Sequence, residues 1–323
     1  MCMRTSETPD SSDTVNPAPM TLFPSVVPRC SLEEAKSLQT KFNLLMHNVA
    51  HDHEFLEKCL QHVIKVDEFT RKLWEIYCKA KELRKNKPQI CLGLFRNDFM
   101  MDVGENQSDK TPQDLARSVR LKQVEFNTIA SSFGGLVTQL THCPTCSYQL
   151  AGTKKIQQVL AGKGVLEKFI QDANDVRRMR ALFAGQFSLD EDESKAISMA
   201  LQNPGGYVLK PQREGGGNNL YDEELKEMLM KIKDTEERSA YILMEKIHTW
   251  VLRNHLIKVG EHSRLRDVLS EIGIYGVYIG KGTEDSIVNE ESGHLMRTKA
   301  LGINEGGVAS GFATLDTPFL IDT

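Results

Sequence analysis

The sequence has no long hydrophobic run and no excess of basic charge. No apolar stretch approaches the roughly 18 residues that a membrane-spanning helix needs, so we expect no membrane segment. Its 40 Lys and Arg residues stand against 44 Asp and Glu residues, which gives a formal net charge of −4. The whole chain therefore has little attraction for nucleic acid or anionic lipid, and any anion-binding site must be local.

Cysteine is sparse, and the apolar core of a secretory signal is missing. The seven cysteines, an odd number, are spread along 323 residues without forming a dense disulfide framework, which favours a reducing, cytoplasmic location. Residues 1–20 are polar, so we interpret them as a mobile tail. The chain is 40% hydrophobic and 26% charged, which predicts a globular protein of about two domains.

Helical spacing dominates the region from Ser31 to Lys87. Apolar residues three and four apart predict a first amphipathic helix, in which Ser31 and Glu34 have the spacing of a capping box. Two further helices are predicted before Pro88, which ends the pattern. We expect residues 21–136 to form an N-terminal helical scaffold followed by a strand that carries metal ligands.

Strand patterns begin after Pro88. The apolar run QICLGLF is typical of a buried strand, and LKQVEFNTI alternates so that Glu125 and Asn127 share one face. Helices are predicted over 154–171, 174–185, 190–202 and in YDEELKEMLMKIK, and strands in YVLK, YILMEKI and IYGVYIG. Together these elements predict the α/β class.

Three adjacent glycines stand in the loop between Lys210 and Asn219. Glycine lets a backbone curl with its N–H groups turned onto a phosphate chain, which suggests a nucleotide site. The loop is not a Walker A motif, because no Gly-Lys-Ser/Thr follows, and it is not the dinucleotide fingerprint, because Leu220 stands at the third glycine position. A flexible surface turn is the alternative. Lys210 and Glu214 in the same loop favour the nucleotide site.

Oxygen ligands for a divalent cation are available in Glu125, Asn127 and Glu214. Mg²⁺ prefers such ligands when it also binds nucleotide phosphates. Two carboxylates about 4 Å apart would repel by about 4 kcal/mol at an effective dielectric constant near 20, and a divalent ion reverses that penalty. The alternative is that Glu125 is an ordinary solvent-facing strand residue.

Two clusters of metal-binding residue types favour structural interpretations. Cys143 and Cys146 have redox or half-zinc spacing, but no second pair stands at the expected distance, so we expect a turn with incidental thiols. His47, His51 and His53 lack the glutamate of a zinc-protease motif, and we expect exposed helix residues.

A series of motifs runs through the chain from Thr21 onward: TLFPSVVP, FNLLM, LGLFRNDFM, KQVEFNTIASSFGGL, QLAGTKKIQQ, YVLKPQREGGGNNLY, YILMEKI, SEIGIYGVY, GHLMRTKA and GGVASG. In these motifs the sequence closely resembles the eukaryotic-type glutathione synthetase family of ATP-grasp ligases. The resemblance implies an ATP-grasp fold with a mixed or antiparallel sheet, and the ATP-dependent ligation of glycine to γ-glutamylcysteine through an acyl phosphate. It also implies Mg²⁺ as cofactor and a homodimer, with no nucleic-acid or membrane partner.

The resemblance assigns roles to matching positions. It implies that Mg²⁺ is held by Glu125, Asn127 and Glu214, and that Arg96, Lys154, Lys210 and Arg297 are catalytic. It implies that γ-glutamylcysteine is bound by Arg96, Ile129, Ala130, Ser131, Ser132, Arg297, Val308 and Ala309. It implies that ATP is bound by Glu125, Lys154, Lys210, Pro211, Gln212, Arg213, Glu214, Gly215, Gly216, Gly217, Asn218, Asn219, Tyr221, Met244, Glu245, Lys246, Ile247, Glu271, Lys299 and Glu305.

The chain departs from the family between the SSFGGL and QLAGTKK motifs. Family members have a domain-sized stretch there, whereas only residues 137–149 join the two motifs here. We expect this shortened connection to be followed by an ATP-grasp nucleotide-binding region over 150–323, which includes a C-terminal substrate loop. Two alternatives stay open: a shortened, non-catalytic variant that binds nucleotide or pairs with a full-length subunit, and a related carboxylate–amine ligase with another substrate.

Overall fold

The computed structural model describes residues 2–4, 15–84, 90–128, 146–190, 194–212, 217–282, 285–304, 306–308 and 310–323. Its α-helices are α1 (Arg29–His51), α2 (His53–Leu60), α3 (Val63–Val66), α4 (Glu68–Arg84), α5 (Pro112–Ser118), α6 (Cys146–Ala151), α7 (Lys154–Leu160), α8 (Ala173–Leu182), α9 (Ser194–Gln202) and α10 (Asp222–Ile232). Its strands are β1 (Cys2–Arg4), β2 (Val15–Pro17), β3 (Met20–Thr21), β4 (Ser25–Pro28), β5 (Ile90–Asp102), β6 (Arg120–Asn127), β7 (Gln186–Ser188), β8 (Tyr207–Pro211), β9 (Leu220–Tyr221), β10 (Tyr241–Glu245), β11 (Leu252–Ile257), β12 (Leu265–Lys281), β13 (Asp285–Ala300), β14 (Ala313–Asp316) and β15 (Pro318–Ile321). The predicted α/β class is confirmed.

The helix α1 begins two residues before the predicted capping box. Its first residue is Arg29, and Pro28 precedes it with an extended backbone and no side-chain cap. Ser31 therefore lies inside the first turn, and the capping-box prediction is wrong. The Glu34 carboxylate instead accepts hydrogen bonds from the Arg178 side chain at 2.7 and 2.8 Å, which joins α1 to α8.

The predicted helix over 154–171 is divided. The helix α7 ends at Leu160, and Gly162 and Gly164 follow before a short 3₁₀ segment, Leu166–Lys168. Gly164 has φ +80°, a left-handed conformation that L-residues rarely adopt and that stops a right-handed helix. The helical periodicity of the sequence continues across this break, which explains why the prediction was too long.

A seven-stranded sheet forms the centre of the molecule. Its strand order is β11-β3-β14-β13-β12-β5-β6, and β11 also pairs with β12, so five of the strands close into a ring. The β14–β3 pairing is parallel and the others are antiparallel, which makes the sheet mixed. The strand predicted in IYGVYIG extends to 17 residues because β5 and β13 pair with it on both sides.

The helix α1 covers one face of the large sheet. Its Phe42 ring stacks on Phe126 of β6 at 5.9 Å between centroids, and Phe95 of β5 lies 5.5 Å from the same ring. All three side chains are buried, and burying an aromatic side chain stabilises a fold by about 1.5–3 kcal/mol. Since strand side chains alternate, the next residues along β5 and β6 point to the opposite face.

A smaller four-stranded sheet has the order β7-β10-β8-β9. Leu209 and Leu243 lie opposite each other on β8 and β10, and both are fully buried. They belong to one apolar cluster with Leu225 and Leu229 of α10 and with residues of α9. The two helices therefore cover one face of this sheet, and Lys210 projects from the other face of β8.

Short strands near the start of the chain pair with other strands. Cys2–Arg4 runs antiparallel to Val15–Pro17, and Met20–Thr21 joins β11 and β14 in the large sheet. The mobile tail over 1–20 and the domain boundaries at 136, 137, 149 and 150 stay predictions. Among the described residues, no helix combines the length and apolar character needed to span a membrane.

Candidate functional site

A group of charged side chains lies on the face of the large sheet opposite α1. Arg96 of β5 pairs in register with Asn127 of β6, and Asp98 pairs with Glu125. Residues opposite each other in antiparallel strands point to the same side, so these four side chains are neighbours. The shared face of Glu125 and Asn127 that the alternation predicted is present in the structure.

Asp98 is the most connected member of this group. It is fully buried, and its Oδ1 accepts a hydrogen bond from Arg96 Nε at 2.7 Å. Its Oδ2 accepts from an Arg96 terminal nitrogen at 2.8 Å, from Asn127 Nδ2 at 3.0 Å and from Arg297 at 3.1 Å. A buried carboxylate requires such compensation because burial otherwise strongly penalises its charge.

The neighbouring strands β12 and β13 add a second ion pair. Glu271 lies opposite Arg297 in register, and the two side chains are in direct hydrogen-bond contact. The same Arg297 nitrogen also donates to Asp98, whereas Arg297 Nε is buried without a hydrogen-bond partner in the described part of the chain. This guanidinium therefore retains a donor for a further acceptor.

Two lysines reach the group from other elements. Lys154, the first residue of α7, places Nζ 2.6 Å from Glu125 Oε2. Lys210 of β8 places Nζ 2.9 Å from the backbone oxygen of Val124, which precedes Glu125. Both lysines are buried, with 6% and 5% exposure. Three distant parts of the sequence thus meet beside Glu125.

The pKa values of these groups reflect burial and mutual charge. Burial would raise the pKa of Glu125, but the Lys154 ammonium outweighs it and holds that pKa below its usual range. Burial, together with Lys154, lowers the pKa of Lys210 to about 8, although Glu125 and Glu271 oppose the change. Burial raises the pKa of Glu271 in spite of Arg297. Burial and the charges of neighbouring side chains therefore both shift the pKa values of these groups.

Positive charge exceeds negative charge among the described members of the site. The cationic side chains are Arg96, Lys154, Lys210, Arg297 and Lys299, and the carboxylates are Asp98, Glu125 and Glu271. Among described residues, Lys210 makes no ion pair and donates only to a backbone oxygen. A buried ammonium without a carboxylate partner favours binding of an anion, because transfer out of water is otherwise unfavourable.

The C-terminal end of β13 lies at the edge of the site. Lys299 Nζ donates to the backbone oxygen of Asn304 at 2.9 Å. A Cβ on Gly306 would lie 3.4 Å from Glu271 Oε2, which places the start of the GGVASG loop beside this carboxylate. Val308 in the same loop is buried.

Four of the predicted ATP-binding residues, Met244, Glu245, Lys246 and Ile247, lie at the end of β10 and directly after it. Met244 is buried at the end of β10, and the Glu245 carboxylate accepts a hydrogen bond from Gly185 N at 3.1 Å. A cleft of about 310 Å³ is lined by Glu245, Lys246 and Ile247 together with Lys122 and other residues. Lys154, Lys210 and Glu125 do not line this cleft.

The glycine loop is described only at its ends. Pro211 closes β8, and Gln212 Oε1 accepts a hydrogen bond from Lys155 N at 3.0 Å. Gly217 has φ 85°, a conformation for which glycine is suited, and the segment then passes through Asn218 and Asn219 to Tyr221 at the end of β9. Several predicted residues lie outside the described residues: Ile129, Ala130, Ser131, Ser132, Arg213, Glu214, Gly215, Gly216, Glu305 and Ala309.

Glu125 and Asn127 fit the oxygen chemistry of a Mg²⁺ site. Among the described residues the Asn127 amide makes two hydrogen bonds, both donated by Nδ2, to Asp98 and to the Arg96 backbone oxygen, so its Oδ1 is available to a cation. Glu125 uses only Oε2 in its pair with Lys154. No group of three His, Cys, Asp or Glu residues able to hold a metal occurs among the described residues. A cation here would therefore depend on few protein ligands, as is usual for Mg²⁺ bound to phosphates.

Two features were missed or misread in the sequence. Asp98 was not singled out, although a charged pair inside the apolar strand LGLFRNDFMM was a usable signal. His47 is fully buried, which corrects the expectation of an exposed residue: Nδ1 contacts the Tyr148 hydroxyl at 2.6 Å and Nε2 contacts the Gly282 oxygen at 2.5 Å. The periodicity places it on a helix but does not reveal that Tyr148 of α6 and Gly282, just after β12, contact that position. Cys143 lies outside the described residues, and Cys146 begins α6.

The fold and this site define an α/β protein, built mainly on a seven-stranded and a four-stranded sheet, with a buried, cation-rich site that can receive an anionic ligand. Comparison with known proteins specifies this class further. A model of the eukaryotic glutathione synthase ATP-binding domain matches residues 1–151 and 144–320. The chain belongs to the eukaryotic glutathione synthetase family, and its fold is the ATP-grasp fold.

Individual relatives are similar over almost the whole chain. Glutathione synthetase from Xenopus laevis is 33% identical over an alignment of length 454, which covers 99% of this chain and 93% of that protein. The Homo sapiens glutathione synthetase is also 33% identical, with 98% and 93% covered. A solved structure of a glutathione synthetase-like effector, GSS30 from Globodera pallida in the apo form, superposes with a TM-score of 0.69. It is 18% identical, with 95% of this chain and 91% of that chain covered, so it supports the fold alone.

Proposed function

We propose that the protein is an ATP-dependent carboxylate–amine ligase that joins glycine to γ-glutamylcysteine through an acyl phosphate, with release of glutathione, ADP and phosphate. The convergence of Lys154 and Lys210 beside Glu125 carries this proposal. Two buried ammonium groups next to a carboxylate with oxygen atoms to spare suit a nucleotide triphosphate and its cation. Family membership supports the choice of substrates.

In this proposal the side chains act by position and charge. Lys154 and Lys210 neutralise negative charge as the phosphoryl group passes from ATP to the carboxylate of the dipeptide. Arg96 and Arg297 hold carboxylates of γ-glutamylcysteine, and the Nε of Arg297, which has no hydrogen-bond partner among the described residues, is a donor suited to this purpose. Glu125 and Asn127 would hold Mg²⁺, with Glu214 as the third proposed ligand, and the ion would supply positive charge that offsets the charge of the phosphates.

The substrate loop then completes the site. A Cβ on Gly306 would lie 3.4 Å from the Glu271 carboxylate, and Val308 is buried; these positions support a role of the GGVASG segment in keeping water from the acyl phosphate. The amine nitrogen of glycine attacks the acyl carbon, the bond from that carbon to the phosphate oxygen breaks, and phosphate leaves with the electron pair while the amine proton passes to solvent; the new amide is then released. No covalent bond to the protein is needed, since orientation of the reactants supplies much of the rate.

The alternative is a shortened variant that binds nucleotide, or pairs with a full-length subunit, without completing the ligation. It is favoured by the alignment with the Xenopus laevis protein, which extends over 454 residues although this chain has 323. We interpret the difference as an internal stretch of the relatives in whose place this chain has only residues 137–149. A homodimer and a cytoplasmic location also belong to the proposal; the buried thiol of Cys59, which forms no disulfide, is consistent with a reducing compartment.

Turnover with defined substrates tests the proposal. The purified chain is given ATP, MgCl₂, glycine and γ-glutamylcysteine, and ADP and glutathione are measured by a coupled assay and by mass spectrometry. We expect both products only when both substrates are present. Glu125→Gln should abolish turnover, whereas Glu33→Gln on the exposed side of α1 should not. Nucleotide binding without glutathione formation would support the alternative and overturn the ligase proposal.

A further inference from the structure

We propose that Asp98 is a positioning residue that sets the orientation of the substrate-binding guanidinium groups and of a metal-binding amide at the same time. The inference rests on the proposed function, because it concerns how that site is assembled. Asp98 touches Arg96, Arg297 and Asn127 but is itself fully buried, so it acts through these residues.

The two guanidinium groups depend on Asp98 in different ways. Arg96 binds it with two nitrogens, Nε to Oδ1 at 2.7 Å and a terminal nitrogen to Oδ2 at 2.8 Å, which is the bidentate geometry of a strong ion pair. Arg297 reaches the same Oδ2 at 3.1 Å from β13, two strands away. Without the carboxylate, two buried positive groups would stand next to each other with less compensation, and each would turn away from the other.

The Asn127 amide is oriented by the same oxygen. Its Nδ2 donates to Asp98 Oδ2 at 3.0 Å and to the Arg96 backbone oxygen at 3.4 Å. Both partners can only accept, so the amide has one acceptable orientation, with Oδ1 directed away from Asp98. Only Oδ1 can ligate a cation, and Asp98 therefore determines whether this ligand is presented. Outer partners of metal ligands typically change metal affinity or activity by about 10–100-fold when altered.

The backbone opposite Asp98 is shaped for this arrangement. Gly273 of β12 is its partner in register, and a Cβ there would lie 2.6 Å from Asp98 Oδ1 and 2.8 Å from Arg96 Cδ. Contacts this short would force the carboxylate or the arginine to move. Glycine at 273 leaves the space that the Asp98–Arg96 pair occupies, so the geometry of this pair depends on the absence of a side chain at that position of β12.

A positioning role and a merely structural role make different predictions. Positioning affects ligands that touch Arg96, Arg297 or Asn127, namely the dipeptide and Mg²⁺. The ammonium groups of Lys154 and Lys210 and the Met244–Ile247 segment do not contact Asp98, so nucleotide affinity without Mg²⁺ should be retained. If the role is merely structural, the binding of the dipeptide, Mg²⁺ and the nucleotide should weaken together, because the whole site loses order.

The test measures binding by isothermal titration calorimetry on the full chain and on Asp98→Asn. The probes are γ-glutamylcysteine, and a non-hydrolysable ATP analogue with and without MgCl₂. We expect the dipeptide Kd to rise at least about 10-fold and the gain in nucleotide affinity from Mg²⁺ to be largely lost. The Kd of the analogue without Mg²⁺ should stay within about twofold.

Asp175→Asn is the matched control. Asp175 on α8 is also a buried carboxylate, and it pairs with Lys41 at 2.7 Å and Arg178 at 3.6 Å, outside the site. This variant should lose thermal stability yet keep the dipeptide Kd and the Mg²⁺ effect. If Asp98→Asn does not fold, Asp98→Glu replaces it, since the charge is kept but the oxygens are displaced by one methylene; the same losses are expected.

Three results would overturn the inference. One is unchanged dipeptide and Mg²⁺ binding in a folded Asp98 variant, and another is an equal loss for all three probes, which would indicate a structural role. The third is a wild-type chain that binds the analogue but not the dipeptide. That result removes the proposed ligase function as well, and it is recognised from the wild-type protein alone.

Discussion

Protonation of His47 should destabilise the fold in a defined pH range. Burial, with a smaller effect of the His51 ring, lowers the pKa of His47 to about 4 from the ordinary value of 6.5, although the hydrogen bond to Gly282 opposes the change. The Gly282 oxygen can only accept, so Nε2 carries the proton and Nδ1 accepts from Tyr148. Burial raises the pKa of Tyr148, which keeps this donor protonated. The folded chain thus holds a neutral imidazole.

The magnitude follows from proton linkage. Below pH 6.5 the unfolded chain takes up a proton at this position, whereas the folded chain does so only near pH 4. The free energy of unfolding therefore decreases as the pH falls through this interval, and a pKa difference of this size corresponds to about 3 kcal/mol. That amount is a large fraction of a typical stability of about 5–15 kcal/mol.

Urea unfolding between pH 7.5 and pH 4.5 measures the effect. Carboxylates also titrate in this range, so the quantity of interest is the difference between the wild type and His47→Gln. Glutamine can donate to Gly282 and accept from Tyr148 but does not titrate. The free energy of unfolding of the His47→Gln variant should therefore fall less steeply below pH 6.5 than that of the wild type. His262→Gln, at an exposed position, controls for the loss of an imidazole. Parallel pH profiles for wild type and His47→Gln would refute the reasoning.

Two further substitutions test other parts of the architecture. Gly273→Ala should lower the free energy of unfolding by about 1–3 kcal/mol and weaken dipeptide binding, because its Cβ would lie 2.6 Å from Asp98 Oδ1. Chemical denaturation and calorimetry measure the two effects. A variant with the stability and dipeptide Kd of the wild type would show that the added methyl group does not crowd Asp98. Asp316→Asn should lower the free energy of unfolding in urea by about 3 kcal/mol, since this carboxylate accepts hydrogen bonds from the Thr21 and Ser25 hydroxyls at 2.8 and 2.6 Å. A decrease of less than about 0.5 kcal/mol would show that water replaces these bonds.

Local patterns predicted the elements that carry the site. Alternation in LKQVEFNTI placed Glu125 and Asn127 on one face, and the strand predicted before the glycines and the helix predicted after them are found as β8 and α10, with the short strand β9 between them. These predictions succeeded because alternation and helical spacing depend only on neighbours in the sequence. Element ends were less predictable, as the break at Gly164 and the 17-residue strand β12 show, because pairing partners and a positive φ determine where an element stops.

The sequence by itself determined the fold class, the family and the residue types available for chemistry, since these depend on local pattern and on motifs read in order. Only the tertiary structure decided that Asp98 lies between two arginines and an asparagine, and that His47 is buried against Tyr148 of α6 and Gly282. Such contacts join residues up to 235 positions apart. Register between strands and the packing of helices on a sheet bring them together, and neither is encoded in any short stretch of the chain.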